Sequence, residues 1–295
     1  VEDHVEDAAD RVVTSSGPVE TVVRDGPGDP VMYFHGGHES AVTAQAAQLY
    51  VDLGHRVVIV SRPGYGRTDV GRLSPAEFAA PADEVRAALG IDRFRAVVGT
   101  SFGGPQAIEY AGRFPAVARS LILHSAAPST LPYPDSRGQR IGGPLIFHPR
   151  VERYVWAGTT KLITRFPRRG LRSMMAPLST RRDMSWLDAL TDDDRDRIRT
   201  MFTGMRSGSG FVTDLAYAGA ATAGVRRRAQ QQVMCPTLVT ASHQDQGVGW
   251  AHAEDYRDTI PNAQLIEVPA ASHVFWIGPT RDAMLATLTT FLAAV

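Results

Sequence analysis

Short β-branched apolar runs that alternate with helical stretches constrain this 295-residue chain more than any other feature. Val31–Phe34 (VMYF), Arg56–Val60 (RVVIV), Phe94–Val98 and Ser120–His124 (SLILH) read as strands. Between them the spacing predicts three helices: Ala41–Leu53 with Ser40 as cap, Pro75–Leu89 with a Ser74/Glu77 capping box, and Gly104–Arg113. A hairpin of Arg11–Thr14 and Val19–Arg24 around Ser-Ser-Gly-Pro comes first, after an acidic arm that carries His4 and reads as disordered. Apolar strands separated by helices bury both of their faces. The expected fold class is therefore α/β, a mostly parallel sheet with helices on both sides.

The alternation stops at Pro128. It resumes after Pro236 with strand Thr237–Ala241, helix Trp250–Thr259, strand Gln264–Val268 and helix Pro279–Ala294. Residues 131–229 contain no clear strand but do contain helix signals, such as Thr191 opening a helix that runs to Arg206. A structureless loop of that length does not suit a compact domain. The expected organisation is a core of residues 1–130 and 230–295, with 131–229 as a helical insertion on the C-terminal side of the sheet.

Composition removes several classes of function. The 31 basic and 31 acidic residues balance, whereas a general nucleic-acid binder needs a basic surplus. With 43 % hydrophobic and 21 % charged residues, the chain is not of disordered composition. The lone Cys235 excludes an intrachain disulfide and reads as packing before a strand. No zinc spacing or H-E-x-x-H is present, so no metal is implied, and Gly208-Ser-Gly210 lacks the strand and lysine of a phosphate loop. No apolar run reaches the roughly 20 residues of a membrane span, and the acidic start is unlike a signal peptide. These observations lead to the expectation of a cytoplasmic protein that acts on a small-molecule substrate, with no cofactor, nucleic acid or membrane partner; a homodimer stays open. Charge is unevenly placed, since 131–229 hold 17 arginines and Lys161 against 9 acids. The arginines read either as solvated helix faces or as an anion-attracting surface at Arg168-Arg169, Arg181-Arg182 and Arg226-Arg227-Arg228. On the second reading this surface lies above an apolar pocket lined partly by Met174, Met175, Met184, Met201 and Met205.

The chemistry centres on Gly99-Thr100-Ser101-Phe102-Gly103, a G-x-S-x-G that follows a strand and opens a helix. Such a turn holds its central side chain above the sheet edge and requires small neighbours. A serine hydroxyl needs a base, and that base needs an orienting group. Asp245 follows the strand Thr237–Ala241 and His273 follows the strand Gln264–Val268, so both fall at the same sheet edge as Ser101, in the chain order Ser, Asp, His. No carboxylate follows His124, in His124-Ser125-Ala126, which strengthens Asp245 as the candidate acid. Among the other histidines, His55 and His252 read as surface, His148 as a helix start, His124 as a pocket neighbour, His243 as loop-shaping and His35 as a loop anchor. The N–H groups of Gly37, in His35-Gly36-Gly37-His38, and of Phe102 are the candidate oxyanion donors.

Five segments carry a resemblance: YFHGGHES (33–40), SRPGYGRTD (61–69), VVGTSFGG (97–104), PTLVTASHQDQGV (236–248) and VPAASHVFW (268–276). Through them the chain resembles the α/β-hydrolase family over nearly its whole length. The resemblance implies Ser101 as nucleophile, Asp245 as acid, His273 as base, Gly37 and Phe102 as oxyanion donors, and 131–229 as a helical cap. The chain departs from the family pattern at His38, often proline, at Ser61, often aspartate, and at Ser242, usually glycine. A serine at the elbow is unlike the nucleophilic aspartate of dehalogenases and epoxide hydrolases. The activity implied is cofactor-free hydrolysis of an ester, thioester or lactone. C–C bond hydrolysis and cofactor-independent oxygenation are alternatives on the same fold, and a non-catalytic ligand receptor is the alternative from another class.

Overall fold

The structure, a computed structural model, describes residues 9–134 and 137–295. Residues 1–8 of the acidic arm, His4 among them, lie outside the described residues, and Asp10 already belongs to the first strand. β1 (Asp10–Thr14) and β2 (Gly17–Arg24) form the expected hairpin, with Thr14 facing Gly17 across the turn. They are joined by β3 (Gly28–Phe34), β4 (His55–Val60), β5 (Ala96–Thr100), β6 (Leu121–His124), β7 (Thr237–Ala241) and β8 (Ala263–Glu267). Together these make one sheet in the order β1-β2-β4-β3-β5-β6-β7-β8. β2 runs antiparallel to β1 and β4, and every other pairing is parallel.

Helices cover both faces because successive strand residues point to opposite sides. On one side Val31, Tyr33, Val57, Ile59 and Val98 pack with Leu49 of α1 (Gln48–Asp52) and with α12 (Gly278–Ala294). On the other, Met32, Phe34, Val58, Val60 and Val97 meet α2 (Pro75–Ala88) and α3 (Gly104–Arg113), with Tyr256 of α11 (Trp250–Thr259) in the same cluster. Between β6 and β7 the chain forms α4 (Arg137–Ile146), α5 (Glu152–Arg165), α6 (Pro167–Met175), α7 (Ser185–Asp188), α8 (Asp192–Gly204), α9 (Gly210–Tyr217) and α10 (Ala223–Gln232), with no strand among the described residues. Ile163, Leu171, Ile198 and Phe202 from these helices belong to the same buried cluster as that first face and as Val274–Ile277.

Local signals served well where the backbone decides. Ser74 and Glu77 form the full capping box of α2, and Thr191 caps α8, which ends at Gly204 rather than Arg206. The strand expected at Phe94–Val98 lies two residues later; Phe94 makes only an isolated bridge to Ala118, and β5 runs directly into Ser101. The helix expected over Ala41–Leu53 shrinks to one 3₁₀ turn, Gln45–Ala47, and α1. The Ala41 N–H donates to the Ser61 hydroxyl (2.7 Å) and the Ser40 N–H to the Thr43 hydroxyl, so that stretch is tied to the end of β4 and its path is set by this tether.

The arginine runs separate in the same way. Arg226 is 2 % exposed, and its guanidinium holds the carbonyls of Gly219 (3.0 Å) and Leu131 (3.1 Å), which makes it an anchor and not an anion site. Arg168 and Arg169 line an open groove with Arg165, Arg195 and Arg199. Cys235 is half-buried, and burial pushes its thiol up to about 11, so it is not a thiolate at neutral pH.

Candidate active site

Ser101 closes the turn from β5 into the short 3₁₀ turn before α3, with φ at 50°. A left-handed backbone at a non-glycine residue is strained, and the neighbouring backbone enforces it. A Cβ on Gly99 would sit 2.6 Å from the Gly103 carbonyl oxygen, and one on Gly103 would sit 2.2 Å from that of Phe34. Only glycine lets β3, β5 and α3 approach so closely. The result presents the Ser101 side chain to a cavity of about 240 Å³ that Gly37, Phe102 and His273 also line.

Asp245 lies behind His273. Its Oδ2 meets the imidazole Nδ1 at 2.8 Å, and its Oδ1 accepts the Val248 N–H at 2.9 Å. A carboxylate only accepts, so Nδ1 carries the proton and Nε2 is left with its lone pair. Ser242, where the family often has glycine, donates to the Ala270 carbonyl (2.6 Å) and accepts from Gln244 N–H (3.1 Å). The serine thereby stitches the Asp245 loop to the His273 loop. Burial disfavours a charged His273, but Asp245 and then Glu39 outweigh it and hold its pKa above the ordinary 6.5.

The other histidines near the site behave differently. His38, at φ 65°, is packed 3.8 Å from the Phe211 ring and shares the Ser207 hydroxyl with Trp156; burial and then Arg62 push it down to about 3. His124, expected near the pocket, is buried instead between the Tyr50 hydroxyl and Thr240, and burial alone pushes it to about 3. His252, expected at the surface, is 1 % exposed and accepts from Ser129. His243 stacks on Trp250. His35 anchors its loop, accepting the Arg62 N–H at Nε2 and donating to the Gly36 carbonyl from Nδ1 (2.7 Å).

Sequence reasoning assigned no role to Glu39, which lines the cavity at 7 % exposure. Its Oε2 accepts the Gly36 N–H (3.0 Å), its Oε1 has no partner among the described residues, and burial pushes it up to about 7. Apart from Ser101, His273, His38 and Glu39, the wall is chiefly aromatic and methionine: Phe102, Phe147, Trp156, Phe211, Met174, Met201 and Met205 among others. Of the five methionines expected at a pocket, Met175 and Met184 are buried in the core instead. Among the described residues no cluster of three His, Cys, Asp or Glu side chains is placed to hold a metal, and no helix is long and apolar enough to cross a membrane.

Fold and site together define an α/β-hydrolase. The family model for the alpha/beta hydrolase fold matches residues 29–278, and the chain belongs to that family. It is 30 % identical over 271 residues to the uncharacterized hydrolase YcgS of Bacillus subtilis (strain 168), covering 88 % of this chain and 93 % of that one. The fold is shared with an alpha/beta hydrolase fold protein from Nakamurella multipartita (TM-score 0.72, 22 % identity, 97 % and 99 % coverage). The esterase EaEST from Exiguobacterium antarcticum matches at TM-score 0.64 and 17 % identity, with 97 % and 99 % coverage.

Proposed function

We propose that this hydrolase cleaves an ester, thioester or lactone of a small to medium, largely apolar acyl compound through an acyl-enzyme on Ser101. The observation that carries the reading is the 2.8 Å Asp245–His273 bond behind the same cavity that receives the strained Ser101. In this mechanism His273 Nε2 takes the Ser101 proton as the oxygen attacks the acyl carbon. The negative charge that develops on the carbonyl oxygen is met by the N–H groups of Gly37 and Phe102. The C–O or C–S bond then breaks, His273 returns the proton to the leaving group, and water repeats the sequence to free the acid. The helices of 131–229 serve as the cap, supplying the aromatic and methionine wall that excludes water and selects apolar acyl chains. An esterase on the same fold supports the choice of bond.

A fluorophosphonate probe tests the class of function: stoichiometric labelling that Ser101→Ala abolishes is expected, and an unlabelled wild type would mark a ligand receptor. A panel of esters, thioesters and lactones beside a vinylogous diketone then tests the bond. Turnover of the diketone alone would put C–C hydrolysis in place of acyl transfer.

The acid limb of the pH profile follows from His273. Only neutral imidazole accepts the serine proton, and its pKa is raised, so kcat/KM should climb with pH through a midpoint above 6.5. Glu39, whose own carboxyl burial pushes up to about 7, adds its charge to the elevation of His273 and so to the position of that limb. Glu39→Gln should move it to lower pH. A profile flat from pH 5 to 8 with chemistry limiting would remove His273 as the base, and an unmoved limb in the variant would remove Glu39 from the coupling.

A further inference from the structure

Arg62 is a 1 % exposed arginine at the end of β4, a position for which neither motif nor mechanism has yet given a use. Its Nε donates to the His35 carbonyl (3.0 Å) and its Nη2 to the Gly36 carbonyl (3.0 Å). Its Nη1 forks onto both carboxylate oxygens of Asp214 in α9, at 2.7 and 2.9 Å. The Tyr65 hydroxyl donates to the same carboxylate (2.5 Å), and the guanidinium lies 4.6 Å from the Tyr65 ring centroid. Burial works against this charge, and Asp214 overcomes the penalty so that Arg62 is held more firmly protonated than usual.

The geometry points to Arg62, locked by Asp214 of the helical segment, as the positioning residue that aims the Gly37 N–H into the cavity. The physical reason is peptide planarity. The Gly36–Gly37 bond is trans, so its C=O and N–H lie in one rigid plane and point in opposite directions within it. Arg62 Nη2 and His35 Nδ1 both grip the Gly36 oxygen, which sets the direction of the Gly37 N–H on the far side. The preceding peptide is gripped too, at its carbonyl by Arg62 Nε and at its N–H by Glu39. A cation on the carbonyl also polarises the amide and makes its N–H a stronger donor. Because Asp214 belongs to α9, one wall of the cavity and the oxyanion loop are held by one ion pair, and displacement of α9 would release both.

This inference rests on the serine-hydrolase reading, in which Gly37 is an oxyanion donor. Its test uses Arg62→Lys and Asp214→Asn in the full chain, with the best ester and with a trifluoromethyl ketone of the same acyl chain. The ketone forms a tetrahedral adduct whose oxygen occupies the donor site, so its affinity reports donor geometry. Each variant should lower kcat by about 10- to 100-fold, less than the 10²–10³ of losing a whole donor, with KM within about twofold. The ketone should weaken by the same factor while the melting temperature shows a folded protein. Should Arg62→Lys not fold, Asp214→Asn decides, with Tyr65→Phe as a milder removal of one bond to Asp214. A folded Asp214→Asn with unchanged kcat, or with kcat lowered but ketone affinity intact, overturns the inference and leaves the hydrolase reading standing. A wild type that takes neither fluorophosphonate nor ester overturns both.

Discussion

Ser101→Ala is expected to abolish turnover of the best ester, by about 10³-fold or more, while the protein stays folded. The substitution removes only the hydroxyl. The contacts that enforce the turn belong to backbone around Gly99 and Gly103, and the Ser101 carbonyl keeps its bond from the Ala127 N–H (3.1 Å). Alanine at φ 50° carries much the same strain as serine, so the melting temperature should move little. Steady-state kinetics with a thermal melt on the same preparation checks both halves. An alanine variant that works at the wild-type rate removes Ser101 as nucleophile, whatever the fold.

Asp245→Asn should cost up to about 10⁴ in turnover, and the geometry says why. Oδ1 of Asp245 already accepts the Val248 N–H, so the amide oxygen of asparagine is retained there and its NH₂ is aimed at His273. An N–H at that place needs an acceptor, which forces the imidazole proton onto Nε2. The lone pair that should receive the serine proton is then gone. KM should change far less than kcat, because the buried Asp245 does not line the cavity. Full activity in Asp245→Asn would move the acid role to another carboxylate, with Glu39 of the cavity wall the first to examine.

Much of the candidate site is legible in the sequence because its residues sit on local punctuation. Ser101 was visible since a strand, a pair of glycines and a helix leave one backbone solution for the residue between them. Asp245 and His273 were visible because each follows an apolar strand, and parallel strands deliver their C-terminal ends to one edge. The helix expected from Ala41 has sound periodicity, but a bond from the Ala41 N–H to the Ser61 hydroxyl tethers that stretch to the end of β4, a contact between segments that periodicity does not register. His252 and His124 failed as expectations for a related reason. The polarity of a side chain says nothing of whether Ser129 or Tyr50 waits for it in the interior.

The sequence by itself determined the α/β alternation, the helical interruption between β6 and β7, and the order in which Ser101, Asp245 and His273 follow their strands. These depend on φ/ψ sterics, strand period and chain direction, which act over a few neighbouring residues. Only the tertiary structure decided that Glu39 faces His273 from a buried wall, and that Arg62 meets Asp214 across 152 residues to hold the Gly36 carbonyl. Desolvation and charge pairing depend on which distant segments exclude water together, and no spacing along the chain encodes that.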